Sequence, residues 1–174
     1  LGHAILTGEA LIGYEPFGVL LSDDLCFNEG PGVLAQMAEL YKQFRCSIVA
    51  IQEVPADETH KYGVIGGESL KDGIFRVDTM VEKPEPKDAP SNLAIIGRYV
   101  LTPKIFDKLE QTPRGAGGEI QLTDAIQALI AEAAALMRAG VDLDALIAAA
   151  ATAAVPAPSA KITPPGQRIA LARD

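Results

Sequence analysis

Between residues 17 and 54 an apolar run, an amphipathic helix and a second apolar run follow one another, and this succession constrains the fold most. Phe17-Gly18-Val19-Leu20-Leu21 is a short apolar segment that ends in Ser22-Asp23-Asp24, the pattern of a buried strand with acid at its C-terminal end. Pro31 to Phe44 reads as a helix, because Leu34, Met37, Tyr41 and Phe44 recur at helical spacing and share one face. Ser47 to Val54 is again apolar and of strand length. A strand, a helix and a strand in this order predict a crossover unit and a largely parallel sheet, hence an α/β fold. The chain has 174 residues, 48% of them hydrophobic, enough to bury a core around such a unit within one domain.

The rest of the chain continues the alternation. Tyr62–Gly66 and Gly73–Val81 read as strands, Asn92–Leu101 as another. Thr102-Pro103 then reads as the N-cap and first-turn proline of a short helix through about Leu109. Pro113–Gly118 is a tight glycine-rich loop, and Thr123 reads as the cap of a longer helix. On that helix Ile126, Leu129, Ile130, Ala133 and Met137 share a face, and Arg138 and Gly140 suit its end. Alanine then dominates Ala133–Ala160; Asp142 reads as the cap of a further helix carrying Leu143, Leu146 and Ile147. Recurrent proline from Pro156 to Pro165 predicts an extended tail. The expected division is residues 1–131 as the folded domain and 132–174 as an alanine- and proline-rich tail.

Several function classes are set aside on composition. A net charge of −8 argues against a nucleic-acid partner, since phosphate neutralisation needs clustered Lys and Arg. No apolar run has the length and purity of a membrane span, and no basic-then-apolar leader opens the chain. Cys26 and Cys46 lack metal-type spacing and read as reduced thiols of a cytoplasmic protein. His3 and His60 are the only histidines, too few and too far apart in sequence for a zinc site or a His-based triad.

Four segments can carry chemistry. Asp23 and Asp24 close a strand, and ligands of open α/β sheets bind beyond carboxyl strand ends; a carboxylate there can hold a hard cation such as Mg²⁺, or can simply be a solvated turn. In Val81-Glu82-Lys83-Pro84 the proline forces the chain out of the strand. Glu82 can accept hydrogen bonds from sugar hydroxyls, and the Lys83 ammonium suits a phosphate. Neighbouring strand residues point to opposite faces, so both reach one ligand only if the backbone turns here; the pair also reads as an exposed ion pair. Gly63 in Tyr62-Gly63-Val64 marks either a close approach to a ligand or a bulge. Gly117 and Gly118, just before a helix, can serve an anion or simply form a loop.

In their order these motifs are specific. Leu1-Gly2-His3-Ala4, Leu21-Ser22-Asp23-Asp24, Tyr62-Gly63-Val64, Val81-Glu82-Lys83-Pro84, Ser91-Asn92-Leu93-Ala94-Ile95-Ile96-Gly97-Arg98-Tyr99 and the run Gly117 to Ile126 together resemble the central and later part of bacterial UTP–glucose-1-phosphate uridylyltransferases. These belong to the wider sugar-nucleotide pyrophosphorylases. The resemblance covers Leu1 to about Ile130, and Gly118-Glu119-Ile120-Gln121-Leu122-Thr123-Asp124-Ala125-Ile126 points to the UDP-glucose rather than the dTDP-glucose branch.

The resemblance implies a Rossmann-like α/β/α three-layer sheet, N-terminally truncated, followed by a helical alanine-rich tail. It implies that a glucose 1-phosphate oxygen attacks the α-phosphate of UTP, releasing pyrophosphate and giving UDP-glucose. It also implies Mg²⁺ as cofactor and a homo-oligomer. By the same resemblance Gly2 lies near the uracil and Asp23 is the metal ligand, with Asp24 its neighbour. Gly63 and Glu82 contact glucose, Lys83 its phosphate, and the Ile95 backbone lines the sugar pocket. The family's Gly-Thr-Arg phosphate loop and its Asp-Cys-Gly-Xaa-Lys-Xaa-Gly-Tyr run have no counterpart in the 174 residues. The expectation is therefore weak or absent turnover by this chain alone. The alternatives are a non-catalytic sugar-phosphate-binding module, or a non-functional fragment whose tail covers an open sheet edge.

Overall fold

The computed structural model describes residues 1–71, 73–140 and 168–172. Two short helices, α1 (Gly2–Thr7) and α2 (Glu9–Ile12), lead into strand β1 (Phe17–Leu20). Helix α3 (Val33–Phe44), strand β2 (Ile48–Glu53), the hairpin strands β3 (Gly63–Lys71) and β4 (Ile74–Glu82) and strand β5 (Leu93–Leu101) follow. Helices α4 (Lys104–Gln111) and α5 (Leu122–Gly140) and a final strand β6 (Arg168–Ala172) complete the order. Each strand expected from the sequence forms, with ends displaced by one residue, apart from β3, which runs on to Lys71. The expectations for Asp142, Leu143, Leu146 and Ile147 and for the Pro156–Pro165 stretch lie outside the described residues.

The strands form one sheet in the order β1-β5-β2-β6-β4-β3, with a further β5–β3 pairing. The expectation of a largely parallel sheet is corrected here. Among the described residues every pairing is antiparallel except β4 with β6. The crossover unit itself is present: β1 and β2 both run antiparallel to β5, which lies between them, so they are parallel to each other. Strand–helix–strand succession gives the relative direction of two strands but cannot reveal that a later strand enters between them.

The sheet is covered on both faces. In β2, Val49 and Ile51 point to one side, against Ile65, Leu101, Ile105 and Ile126. Ile48 and Ala50 point to the other, against Val33, Met37 and Leu40 of α3. This period-two division of an unbroken apolar run is what a strand between two helical layers needs. The face of α3 is rotated slightly from the expected one: Val33, Met37 and Leu40 are buried, while Leu34, Tyr41 and Phe44 pack at the margin. Stacked rings of Phe17 and Phe106, 5.2 Å between centroids, fasten β1 to α4.

Two further readings change. Thr123 does not cap α5; it lies inside the helix and its hydroxyl leaves for another element. The tail meets the sheet through a strand, since β6 pairs with β2 on one side and β4 on the other. Helix α5 runs through the expected boundary at residue 131, and the side chain of Met137 lies outside the described ones.

Candidate functional site

The hairpin, β5 and α5 bring four of the sequence motifs to one place. Gly63 pairs with Glu82 across β3 and β4. A Cβ placed on Gly63 would lie 3.1 Å from Ile95 Cδ1, 3.1 Å from Thr123 Oγ1 and 3.3 Å from Glu82 Oε2. Only a residue without a side chain leaves this corner open. The bulge expected as an alternative at Gly63 sits three residues later, at Gly66/Gly67.

Glu82 is fixed by the Thr123 hydroxyl, which donates to its Oε2 at 2.7 Å. Thr123 is buried and Glu82 half-buried, so this charge-assisted bond sits in a low-dielectric setting and is worth about 1.5–3 kcal/mol. The exposed Glu-Lys ion pair is not what forms. Among the described residues no carboxylate lies within ion-pair distance of the exposed Lys83 ammonium. The backbone turn that the pair requires is present, because Lys83 has φ 46° while its N–H donates to the Tyr62 carbonyl at 2.9 Å. A left-handed conformation costs a residue with a Cβ about 1–2 kcal/mol. Here the buried Pro84 follows and the last β3–β4 contact holds the turn in place.

The acid-bearing turn after β1 also rests on β5, through Gly97 and Arg98. Asp23 is exposed and Asp24 half-buried. Tyr99 connects the two regions: its hydroxyl is held protonated well beyond the ordinary tyrosine range by burial first, then by the charge of Glu82, then by that of Asp24. Two carboxylates that the sequence places far apart thus act on one buried phenol. Arg98, also buried, donates to the backbone carbonyls of Leu21 (2.7 Å), Gly97 (3.0 Å) and Asp24.

Gly2 lies elsewhere. Its N–H donates to the Ile120 carbonyl at 3.0 Å, and a Cβ there would meet that oxygen at 2.6 Å and Leu109 Cδ2 at 2.9 Å. Packing of α1 against the loop before α5 therefore accounts for this glycine. A cavity of about 260 Å³ next to it is lined by Leu1, His3, Ala4, Arg114, Glu119 and Ile120. A larger one of about 400 Å³ opens between α4 and α5 and holds none of the predicted site residues.

Sequence reasoning missed Thr123, Tyr99 and Arg98 as parts of this arrangement. Thr123 read as a helix cap, and nothing local marks a buried arginine or tyrosine on a strand as facing a site. For a divalent cation the donors present are the carboxylates of Asp23 and Asp24. Among the described residues no group of three or more His, Cys, Asp and Glu side chains is arranged to hold a metal. One or two carboxylates completed by water and phosphate oxygens are what Mg²⁺ takes at nucleotide sites, so the oxygen-only donor set fits.

Residues 1–144 match the nucleotidyl transferase family. The chain belongs to that family. It is 72% identical over 127 residues to a UTP–glucose-1-phosphate uridylyltransferase of Pseudomonas aeruginosa, covering 72% of this chain and 46% of that protein. It is 52% identical over 129 residues to the enzyme of the same name from Bacillus subtilis, covering 74% and 44%. Among solved structures it is similar to a UDP-glucose pyrophosphorylase complexed with UDP-glucose, with TM-score 0.74 and 58% identity over 76% of this chain and 50% of that one. It is also similar to a UTP-bound UGPase of Acinetobacter baumannii, with TM-score 0.64 and 38% identity over 74% and 44%. The chain thus spans about half the length of the curated relatives it matches. Among the described residues no helix is long and apolar enough to cross a membrane.

Proposed function

We propose that this chain forms the sugar-phosphate side of a UTP–glucose-1-phosphate uridylyltransferase, the name carried by its relatives. The observation that carries the reading is the corner where Gly63, Ile95, Thr123 and Glu82 meet beside the turned backbone of Lys83. The bare face of Gly63 leaves room for a sugar ring. Glu82, oriented by Thr123, accepts from its hydroxyls, and the Lys83 ammonium neutralises the 1-phosphate. In the reaction a phosphate oxygen of glucose 1-phosphate attacks the α-phosphorus of UTP; the bond to the β-phosphate breaks and pyrophosphate leaves. Positioning and charge neutralisation dominate such chemistry.

Asp23, with Asp24 beside it, would hold a divalent cation, Mg²⁺ in this reading, whose chemistry when bound is to neutralise charge on the phosphates. In this reading the base would lie near Gly2, which adjoins the cavity lined by Arg114 and Glu119. The nucleotidyltransferase part is taken as residues 1–131, with 132–174 as a tail. The setting is read as cytoplasmic, which suits Cys26 and Cys46 as thiols rather than a disulfide.

The test is titration calorimetry with glucose 1-phosphate and with UDP-glucose. Heat that Glu82→Ala removes supports the reading; no heat at millimolar ligand sinks it. A pyrophosphate-release assay with UTP, glucose 1-phosphate and Mg²⁺ is expected to give little or no turnover by this chain alone; turnover that Lys83→Ala abolishes overturns that expectation.

A further inference from the structure

The strand β5 carries, at Arg98, a cation that has no part in the sugar corner and, among the described residues, no carboxylate within ion-pair distance. It is buried, at 8% exposure. Burying a guanidinium is costly unless its N–H groups are satisfied. Here the donors go to backbone carbonyls, and their spacing is informative. Nη1 donates to Leu21 O and Gly97 O, and Nη2 to Asp24 O. One planar fork therefore ties together the first and last residues of Leu21-Ser22-Asp23-Asp24, the turn that carries both acids. The same turn is stitched to β5 a second time, because the Leu21 N–H donates to the Gly97 carbonyl at 2.9 Å.

Gly97 completes the fixture. It has φ 61°, and a Cβ there would lie 2.6 Å from Asp24 Oδ2 and 2.9 Å from Leu21 Cβ. The turn therefore rests directly on the bare backbone of β5. Beyond it, Tyr99 senses the Asp24 charge and the Glu82 charge together.

We propose that Arg98 is a positioning residue: its guanidinium sets the Leu21–Asp24 turn, and through it the Asp23 carboxylate, at the height where a divalent cation is held. The proposal rests on the functional reading above for the role of Asp23. An arginine suits this task and a lysine does not. A planar fork reaches two carbonyls three residues apart at once, whereas an ammonium is a single point that cannot span them in the same geometry. Arg98 touches neither substrate nor metal in this scheme.

The experiment measures Mn²⁺ binding by water-proton relaxation or electron paramagnetic resonance, on the full chain with Mn²⁺ as the only added ligand, alongside hydrogen exchange. Asp23→Asn is the reference and is expected to abolish the Mn²⁺ signal. Arg98→Lys is expected to weaken Mn²⁺ binding at least five-fold and to speed exchange of the Leu21 amide about ten-fold, while amides of β2 and β4 keep their protection. A merely structural residue would loosen those strands as well. Mn²⁺ binding within two-fold of the parent in Arg98→Lys, with Asp23→Asn abolishing it, overturns the proposal while leaving the metal reading intact. Binding unchanged in Asp23→Asn overturns the metal reading, and the proposal with it. If Arg98→Lys does not fold, Gly97→Ala decides: it keeps the guanidinium but pushes the turn off β5, and unchanged Mn²⁺ binding there overturns the proposal too.

Discussion

Gly63→Ala separates what the proposed sugar corner does for binding from what it does for folding. The new methyl group would sit 3.1 Å from Ile95 Cδ1, 3.1 Å from Thr123 Oγ1 and 3.3 Å from Glu82 Oε2. These are closer than the 3.5–4.0 Å at which carbon contacts are optimal. All three neighbours are side-chain ends, able to give by a few tenths of an ångström at a cost of about 0.5–1.5 kcal/mol in displaced rotamers. The backbone at Gly63 lies outside the left-handed region, so alanine adopts it without strain. Restricting the unfolded chain then returns about 0.4–1 kcal/mol. The net effect on stability is within about 1 kcal/mol, a melting shift of no more than about 2–4 °C for a chain of this size. Binding is another matter. The methyl group occupies the open corner and displaces the Glu82 carboxylate. One hydrogen bond to a charged group is worth about 1.5–3 kcal/mol, so glucose 1-phosphate affinity should fall roughly ten- to hundred-fold. Differential scanning fluorimetry and titration calorimetry on the same preparation read both quantities. A Gly63→Ala variant that binds as the parent does refutes the placement of the sugar. One that loses more than about 3 kcal/mol of stability, twice the upper rotamer cost, refutes the claim that the neighbours yield.

Thr123→Val keeps the shape of the side chain but removes the donor to Glu82; denaturant unfolding should show a loss of about 1.5–3 kcal/mol, and glucose 1-phosphate binding should weaken in parallel. Met37→Ala, at a fully buried position under the sheet, should cost about 2–5 kcal/mol by urea unfolding and leave ligand affinity nearly unchanged. Because the folded protein holds the Tyr99 proton more tightly than the unfolded chain does, its stabilising contribution is present below about pH 10 and is lost as pH rises further. Tyr99→Phe should flatten that alkaline fall in melting temperature. Deleting residues 168–174 should expose the backbone of Ile48–Ile51 and Ile74–Val77, which β6 pairs; hydrogen exchange at those amides should accelerate, and unchanged protection would mean that β6 contributes nothing to the sheet.

The sequence by itself determined the elements and the chemistry of single residues. The apolar runs at 17–21, 47–54 and 92–101 became strands because runs of that length and composition have few other ways to bury themselves, and the spacing of Met37 with its neighbours set a helix against them. Glu82 and Lys83 were legible as hydrogen-bond acceptor and cation, and Pro84 as the reason a turn must follow. Tertiary structure decided the rest. Whether the sheet is parallel depends on β5 entering between β1 and β2, a pairing between segments distant in sequence that no local pattern encodes. Whether Glu82 joins Lys83 in an ion pair or Thr123 in a hydrogen bond depends on where α5 docks. Arg98 looked like one more strand residue, yet its burial and its three carbonyl partners exist only once the Leu21–Asp24 turn folds over β5. Local propensity acts over a few residues; the corner of Gly63, Ile95, Thr123 and Glu82 and the acid-bearing turn are each assembled from segments that meet only in the finished sheet.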